Sequence, residues 1–196
     1  MSFKKDGYQV IKGFLDKQFC EFASEYVYTK IRGNGCSHGD NQAHKSFCLY
    51  GDAFFDTILA LSTKHLGDVV GKELVPQYTY TRLYQHGEEL KRHQDRTECE
   101  ISATLAIAYP EKVEPIYFEI KGEPVKIDLE VGDLCIYRGC DLWHWRPPFE
   151  SDWYLQTFMH LIDANGPYKD QIYDYRDYLG MKSNNPNLLN YILPDN

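Results

Sequence analysis

Hydrophobic positions follow one spacing early in the chain and another later. Gly7-Tyr8-Gln9-Val10-Ile11-Lys12-Gly13-Phe14 reads as a short strand closed by glycine. Leu15-Asp16 then opens a helix with Asp16 as N-cap. Phe19, Phe22, Ala23, Tyr26 and Val27 recur at helical spacing and predict one buried face. Residues 33–44 are polar and Gly-rich and predict a loop with no phosphate-cradle pattern. Its His38 and His44 read as solvated side chains, or as contacts from a lid. Residues 54–70 predict a second helix with Ile58, Leu61, His65 and Leu66 on one side.

From Tyr78 the period becomes two. Strands are predicted over 78–84, 101–109, 116–120, 125–131, 134–138 and 153–162. The run 101–109 is uncharged and is predicted to be covered on both faces. Val125, Ile127, Leu129 and Val131 alternate with mostly charged partners, which leaves one face wet. The tail from Asn165 is rich in Tyr, Asp, Asn and Pro and predicts short helices and loops on the outside. Helices followed by six or seven close strands predict a mainly β chain with N-terminal helices, a small antiparallel sandwich or barrel. A single domain is expected over 1–196, with support in 1–75, a core in 76–162 and a tail in 163–196.

Composition narrows the partners. A hydrophobic fraction of 43% allows a packed interior, and 16 tyrosines favour strands and pockets with amphipathic walls. Lysine plus arginine total 21 against 29 acidic residues, a net charge of −8, so nucleic acid is a poor default partner. No apolar run reaches transmembrane length and the first residues lack a signal-peptide core, so no membrane and a cytoplasmic location are expected. Six cysteines without a C-x-x-C pair read as free thiols, with Cys99 and Cys135 buried in or beside strands.

The candidate chemistry centres on Lys91-Arg92-His93-Gln94-Asp95-Arg96. In an extended chain His93 and Asp95 point to the same side, offering an imidazole nitrogen and a carboxylate oxygen together. By itself this pair also fits a surface histidine beside a solvated aspartate, or an ion pair with Arg92 or Arg96. His144, after a Gly-Asp turn and a strand, is the best third donor. Two histidines and a carboxylate on one face of a metal form the facial triad of non-haem iron(II) oxygenases, with three positions left open. The donor set alone does not exclude zinc.

Tyr84-Gln85-His86-Gly87 leading to His93-Gln94-Asp95 resembles the Tyr-x-x-Gly…His-x-Asp stretch of 2-oxoglutarate- and iron(II)-dependent dioxygenases. It is most similar to the prolyl-4-hydroxylase-like branch. Residues 6–15 resemble the opening strand of those domains, and 129–137 resemble the strand before the distal histidine. His144 lies 51 positions after His93, a spacing that suits the family. The likeness covers about residues 6 to 162. It implies a double-stranded β-helix, the jelly-roll or cupin-like core. It also implies Fe(II) on His93, Asp95 and His144, 2-oxoglutarate and dioxygen as co-substrates, and ascorbate as a possible reductant. The products would be succinate, CO2 and a hydroxylated peptidyl or small-molecule substrate.

The family's basic residue for the far carboxylate of 2-oxoglutarate usually follows the distal histidine on the next strand. Here Trp153 to His160 contains no Arg or Lys. A buried carboxylate still needs a cation or several donors. Arg146, two residues past His144, is the first candidate, and Arg82 the second, followed by Arg96 and Arg138. Arg146 could instead stack on Trp143 or Trp145, Arg96 could pair with Glu100, and Arg82 and Arg138 could face solvent. Tyr84, Tyr80, Gln156 and His160 could donate inside the barrel. Trp143 and Trp145 fit packing at the barrel mouth or a substrate platform. Two other readings stand beside this one: a cupin-like metalloenzyme that does not use 2-oxoglutarate, and a non-catalytic binding module.

Overall fold

The computed structural model describes residues 2–112 and 114–182. The part of the predicted tail beyond 182 lies outside the described residues. A short helix, α1 (Phe3–Asp6), precedes β1 (Tyr8–Ile11) and α2 (Lys17–Arg32). The Asp16 carboxylate accepts from Phe19 N, so the predicted cap forms. Two strands, β2 (Ser37–His38) and β3 (Phe47–Tyr50), frame the predicted loop, and α3 (Ala53–Val70) follows. The core then runs β4 (Leu74–Gln85), β5 (Leu90–His93), β6 (Ile101–Ala108), β7 (Ile116–Ile120) and β8 (Glu123–Ile127). It ends with β9 (Leu134–Arg138), β10 (His144–Arg146) and β11 (Trp153–Asp163). The eleven strands among the described residues exceed the six or seven expected, because β2, β3, β5 and β10 are short and carry little periodicity of their own.

A seven-stranded sheet has the order β1-β9-β6-β11-β4-β3-β2, and a four-stranded sheet the order β5-β10-β7-β8. Period-two alternation sorts the large sheet's side chains between two environments. Leu83, Ile101, Ala103, Leu105, Leu155, Met159 and Leu161 join Ala23 and Val27 of α2 and Phe55, Ile58, Leu59 and Leu66 of α3 in one core. The alternate residues Tyr84, Ala106 and Tyr154 turn to the second core, with Ile116 and Phe118 of the small sheet. Helices cover one face of the sheet and the small sheet covers the other. This explains why β6 is uncharged throughout.

The expected helix faces are correct in outline but not in every residue. Leu61 is 81% exposed and Phe22 62% exposed. Both lie at the edge of an apolar stripe, where a shift of a few tens of degrees decides burial. Phe22 still packs, with its ring tilted, on Phe19 and Phe54. The segment after β11 also departs from its expectation. Ile172–Tyr175 forms a 3-10 turn in which Asp174 is fully buried. Arg176, also buried, bonds Asp56 at 2.9 Å and Gln77 O at 2.7 Å. The tail therefore plugs into the body through two charged side chains that composition alone marked as surface. No helix among the described residues is long and apolar enough to cross a membrane.

Candidate metal centre and barrel interior

His93 ends β5 and His144 begins β10, and the antiparallel pairing places them opposite each other. Their rings lie 4.3 Å apart between centroids. Asp95 reaches both: its Oδ1 is 3.4 Å from His93 Nε2 and 3.5 Å from His144 Nε2. One donor atom from each of the three lies within 4.8 Å of the others, close enough to share one ion.

The surroundings orient these donors. His93 Nδ1 lies 2.7 Å from Lys91 O, and His144 Nδ1 lies 2.9 Å from Leu142 O. A carbonyl can only accept, so each Nδ1 carries a proton and each Nε2 is turned to the centre, where a metal would replace any proton on it. Asp95 N donates to Gly139 O at 2.9 Å, and Ser102 Oγ donates to Asp95 Oδ2 at 2.6 Å. A Cβ on Gly139 would lie 2.6 Å from Asp95 Oδ2 and would also strike Cys99 O, so only glycine fits there. Burial raises the Asp95 carboxyl, but the adjacent His144 charge and the hydrogen bonds from His144 and His93 outweigh it. The carboxyl is held well below the usual range. Burial lowers His93, and its bond to Asp95 more than offsets this, leaving it raised. The centre thus stays anionic at Asp95 and attracts a cation.

His160 is a satisfied core histidine, its Nδ1 3.0 Å from Ser102 Oγ. Burial drives its pKa from 6.5 to about 4. An unfolded chain takes up this proton near pH 6.5, whereas the folded one does so only near pH 4. Stability is therefore fully present above pH 6.5 and lost as the pH falls from 6.5 toward 4. The loss over that interval is roughly 3 kcal/mol in the metal-free protein. Urea unfolding at pH 4.5 and 7.0 should show it, and His160→Gln should flatten the slope. An equal slope in the variant would refute the assignment.

A cavity of about 400 Å³ opens beside the three donors, lined among others by Asp40, Tyr80, Arg82, Tyr78 and Phe158. Arg82 is 2% exposed, not solvent-facing. It is paired with Asp40 from the loop between β2 and β3, and donates to Tyr84 Oη at 3.0 Å. Tyr80 Oη donates to the same Asp40 at 2.6 Å. The polar loop at 33–44 thus delivers a counter-ion into the barrel wall, a role no pattern in the sequence marks.

Arg146 lies behind the cavity wall, 1% exposed, its guanidinium 5.0 Å over the Tyr154 ring. It donates to Glu114 O at 2.8 Å and Gln156 Oε1 at 2.6 Å. Among the described residues no carboxylate pairs with it. Arg146 Nε, Gln156 Nε2 and Tyr154 Oη are all buried without a hydrogen-bond partner, as is Arg82 Nε. These unpaired donors gather on one part of the barrel interior, since Gln156 faces Arg82 and Tyr154 faces Tyr84 across the β4–β11 pair.

Several alternatives are corrected. Arg146 stacks on neither tryptophan. Trp143 stacks with Arg92 at 4.0 Å, and Trp145 with Tyr117 at 5.6 Å. Neither tryptophan is among the residues lining the cavity. Arg96 pairs with Glu98 and Asp174, not Glu100. Arg138 lies 5.6 Å over the Phe3 ring. All six cysteines are free, with Cys99 and Cys135 buried as expected.

No family model matches the chain, and no curated protein matches it. Solved structures do. A prolyl-4-hydroxylase of Pseudomonas putida is 13% identical with a TM-score of 0.67, covering 82% of this chain and 95% of that one. The viral collagen prolyl hydroxylase of Paramecium bursaria Chlorella virus-1, in its 2OG complex, is 14% identical with a TM-score of 0.62. That match covers 81% of this chain and 97% of the other. The epimerase SnoN of nogalamycin biosynthesis, solved with Fe3+, alpha ketoglutarate and nogalamycin RO, is 16% identical with a TM-score of 0.67, covering 83% and 81%. Likeness at such identities is a statement about fold, and the fold of this chain is the double-stranded β-helix of the 2-oxoglutarate- and iron(II)-dependent oxygenases, prolyl-4-hydroxylases among them.

Proposed function

We propose that this chain is a non-haem Fe(II)- and 2-oxoglutarate-dependent dioxygenase that hydroxylates a peptidyl or small-molecule substrate. The observation that carries the reading is one barrel holding both a His-Asp-His donor set and a buried guanidinium, Arg146, with no counter-ion among the described residues. A buried charge without a partner costs several kcal/mol. Its presence here, ringed by unpaired donors, marks a place built for an anion.

The charges favour Arg146 over Arg82. Arg82 is already neutralised by Asp40. Where the metal and the co-substrate would sit, Asp95 carries one negative charge and Arg146 one positive. A divalent metal and a dicarboxylate added to these give +2, −2, −1 and +1, which sum to zero. Arg146 also places a cation over Tyr154 of β11, the strand that carries no basic residue itself. A cation there supports 2-oxoglutarate use over an enzyme that does without it.

His93, Asp95 and His144 would hold the metal, their Nε2 atoms and Oδ1 already converging. Arg146, Gln156 and Tyr154 would bind the far carboxylate, and Tyr84 and Tyr80 would brace Arg82 and Asp40 beside it. Bound iron and 2-oxoglutarate would supply the activation of dioxygen. The aromatic rings of Phe118 and Tyr137, packed on His144 at 6.0 Å and 4.9 Å, would exclude water from it. Six free thiols and a ferrous centre both suit the reducing cytoplasm, where we place the protein.

Incubation with iron(II), ascorbate, oxygen and 2-oxoglutarate should release succinate even without the prime substrate. Iron bound in full, with no succinate and no spectral response to 2-oxoglutarate, would overturn the reading.

A further inference from the structure

We propose that the prime substrate presents a positively charged amino group, and that Glu98 receives it. The proposal rests on the dioxygenase reading only in taking the cavity beside the triad as the substrate's place.

The charges around the cavity fall into three sets. Arg82 and Asp40 neutralise each other. Asp95 belongs to the three-donor centre. The third set lies just beyond Asp95 and does not balance. Arg96 is held end-on by Asp174, whose two oxygens accept from Nη1 at 2.9 Å and Nη2 at 3.0 Å. Asp174 is fully buried and takes a further bond from Tyr50 Oη, so this pairing is committed. Glu98 meets the same guanidinium at a single, longer contact, 3.3 Å to Nη1. One arginine thus faces two carboxylates, and the surplus negative charge falls on Glu98.

Glu98 is placed to use that charge. It lines the cavity three residues after Asp95, and its side chain is 14% exposed. Thr97 Oγ1 donates to Oε2, and among the described residues Oε1 has no partner. The adjoining wall is aromatic: Tyr50 packs on Tyr78 at 4.9 Å, and Phe158 lies beside His160 at 6.1 Å. Aromatic faces attract cations, and Tyr78 already carries the Arg96 guanidinium 5.1 Å over its ring. A carboxylate with a free oxygen beside aromatic rings is the chemistry that selects an alkylammonium over a neutral or anionic group. The net charge of −8 adds a long-range field of the same sign. The substrate class is therefore an amine, free or carried on a side chain.

The test uses n-butylammonium and its neutral isostere n-butanol, titrated by ligand-observed NMR into the protein without iron, so it is independent of turnover and of 2-oxoglutarate. Butylammonium should bind at least tenfold more tightly than butanol. Glu98→Gln should bring the two to parity, whereas Asp95→Asn should keep the preference, which separates Glu98 from the metal centre. Circular dichroism confirms that each variant is folded, and Glu98→Asp should retain part of the preference. Equal binding of both probes to the wild type would overturn the proposal. So would a preference that survives Glu98→Gln or vanishes in Asp95→Asn alone.

Discussion

His93→Ala is expected to lower iron from one per chain to background, and succinate release with it, while the protein stays folded. His93 supplies one of three donors that meet at a single point, and its loss leaves one imidazole and one carboxylate. Removing even the outer partner of a metal ligand costs about 10- to 100-fold in affinity. Loss of a ligand itself should cost more than about 100-fold. The fold should hold because the cores are apolar and His93 sits at a strand end. A stability change below about 1 kcal/mol, roughly 2–4 °C for a chain of this size, is expected. Iron analysis after desalting, with a melting curve beside it, measures both. Full iron in the variant would remove His93 from the centre.

Arg146→Met is expected to act in the opposite sense on binding and on stability. Losing a buried, hydrogen-bonded charge partner should weaken 2-oxoglutarate by about 2–5 kcal/mol, at least roughly 30-fold. Iron should remain bound, because Arg146 touches none of the three donors. The unliganded protein should be as stable as the wild type or more so. Removing an unpaired buried charge relieves its desolvation cost, which offsets the loss of the bonds to Glu114 O and Gln156 Oε1. A purely structural arginine would instead lose stability and leave co-substrate affinity alone. Titration of 2-oxoglutarate into the metal-loaded protein separates the two. An unchanged affinity would move the anchor to Arg82, which lines the cavity.

The candidate third donor, His144, lies 51 positions from His93 and rested on a turn-and-strand pattern and on the family resemblance. The two long helices, the long strands and the His93–Asp95 pair were legible along the chain. Each depends on neighbours in sequence. Asp16 caps a helix three residues away, β6 and β11 show their nature in their own composition, and His93 and Asp95 share a side through the pleat. Apart from β1, the short strands were not legible, since four residues such as Leu90 to His93 form a strand only because β10 lies beside them. The arginine proposed as anchor was legible as a shortlist and no further. Arg82 and Arg146 look alike in sequence. They differ because Asp40, 42 positions before Arg82, folds in to neutralise one of them, while among the described residues no carboxylate pairs with the other.

Asp174 shows the same limit from the other end. Its segment is polar and aromatic, which argues for the surface, yet its carboxylate lies fully buried against Arg96, 78 positions earlier. By itself the sequence determined the mainly β architecture with supporting N-terminal helices, and the pairing of His93 with Asp95 on one side of the chain. These follow from periodicity and from residue type, which act over a few positions. Only the tertiary structure decided which buried charges are balanced and which are left for a ligand. Charge balance depends on distances of 3 to 4 Å between residues far apart in the chain, and those distances exist only once the sheets have closed.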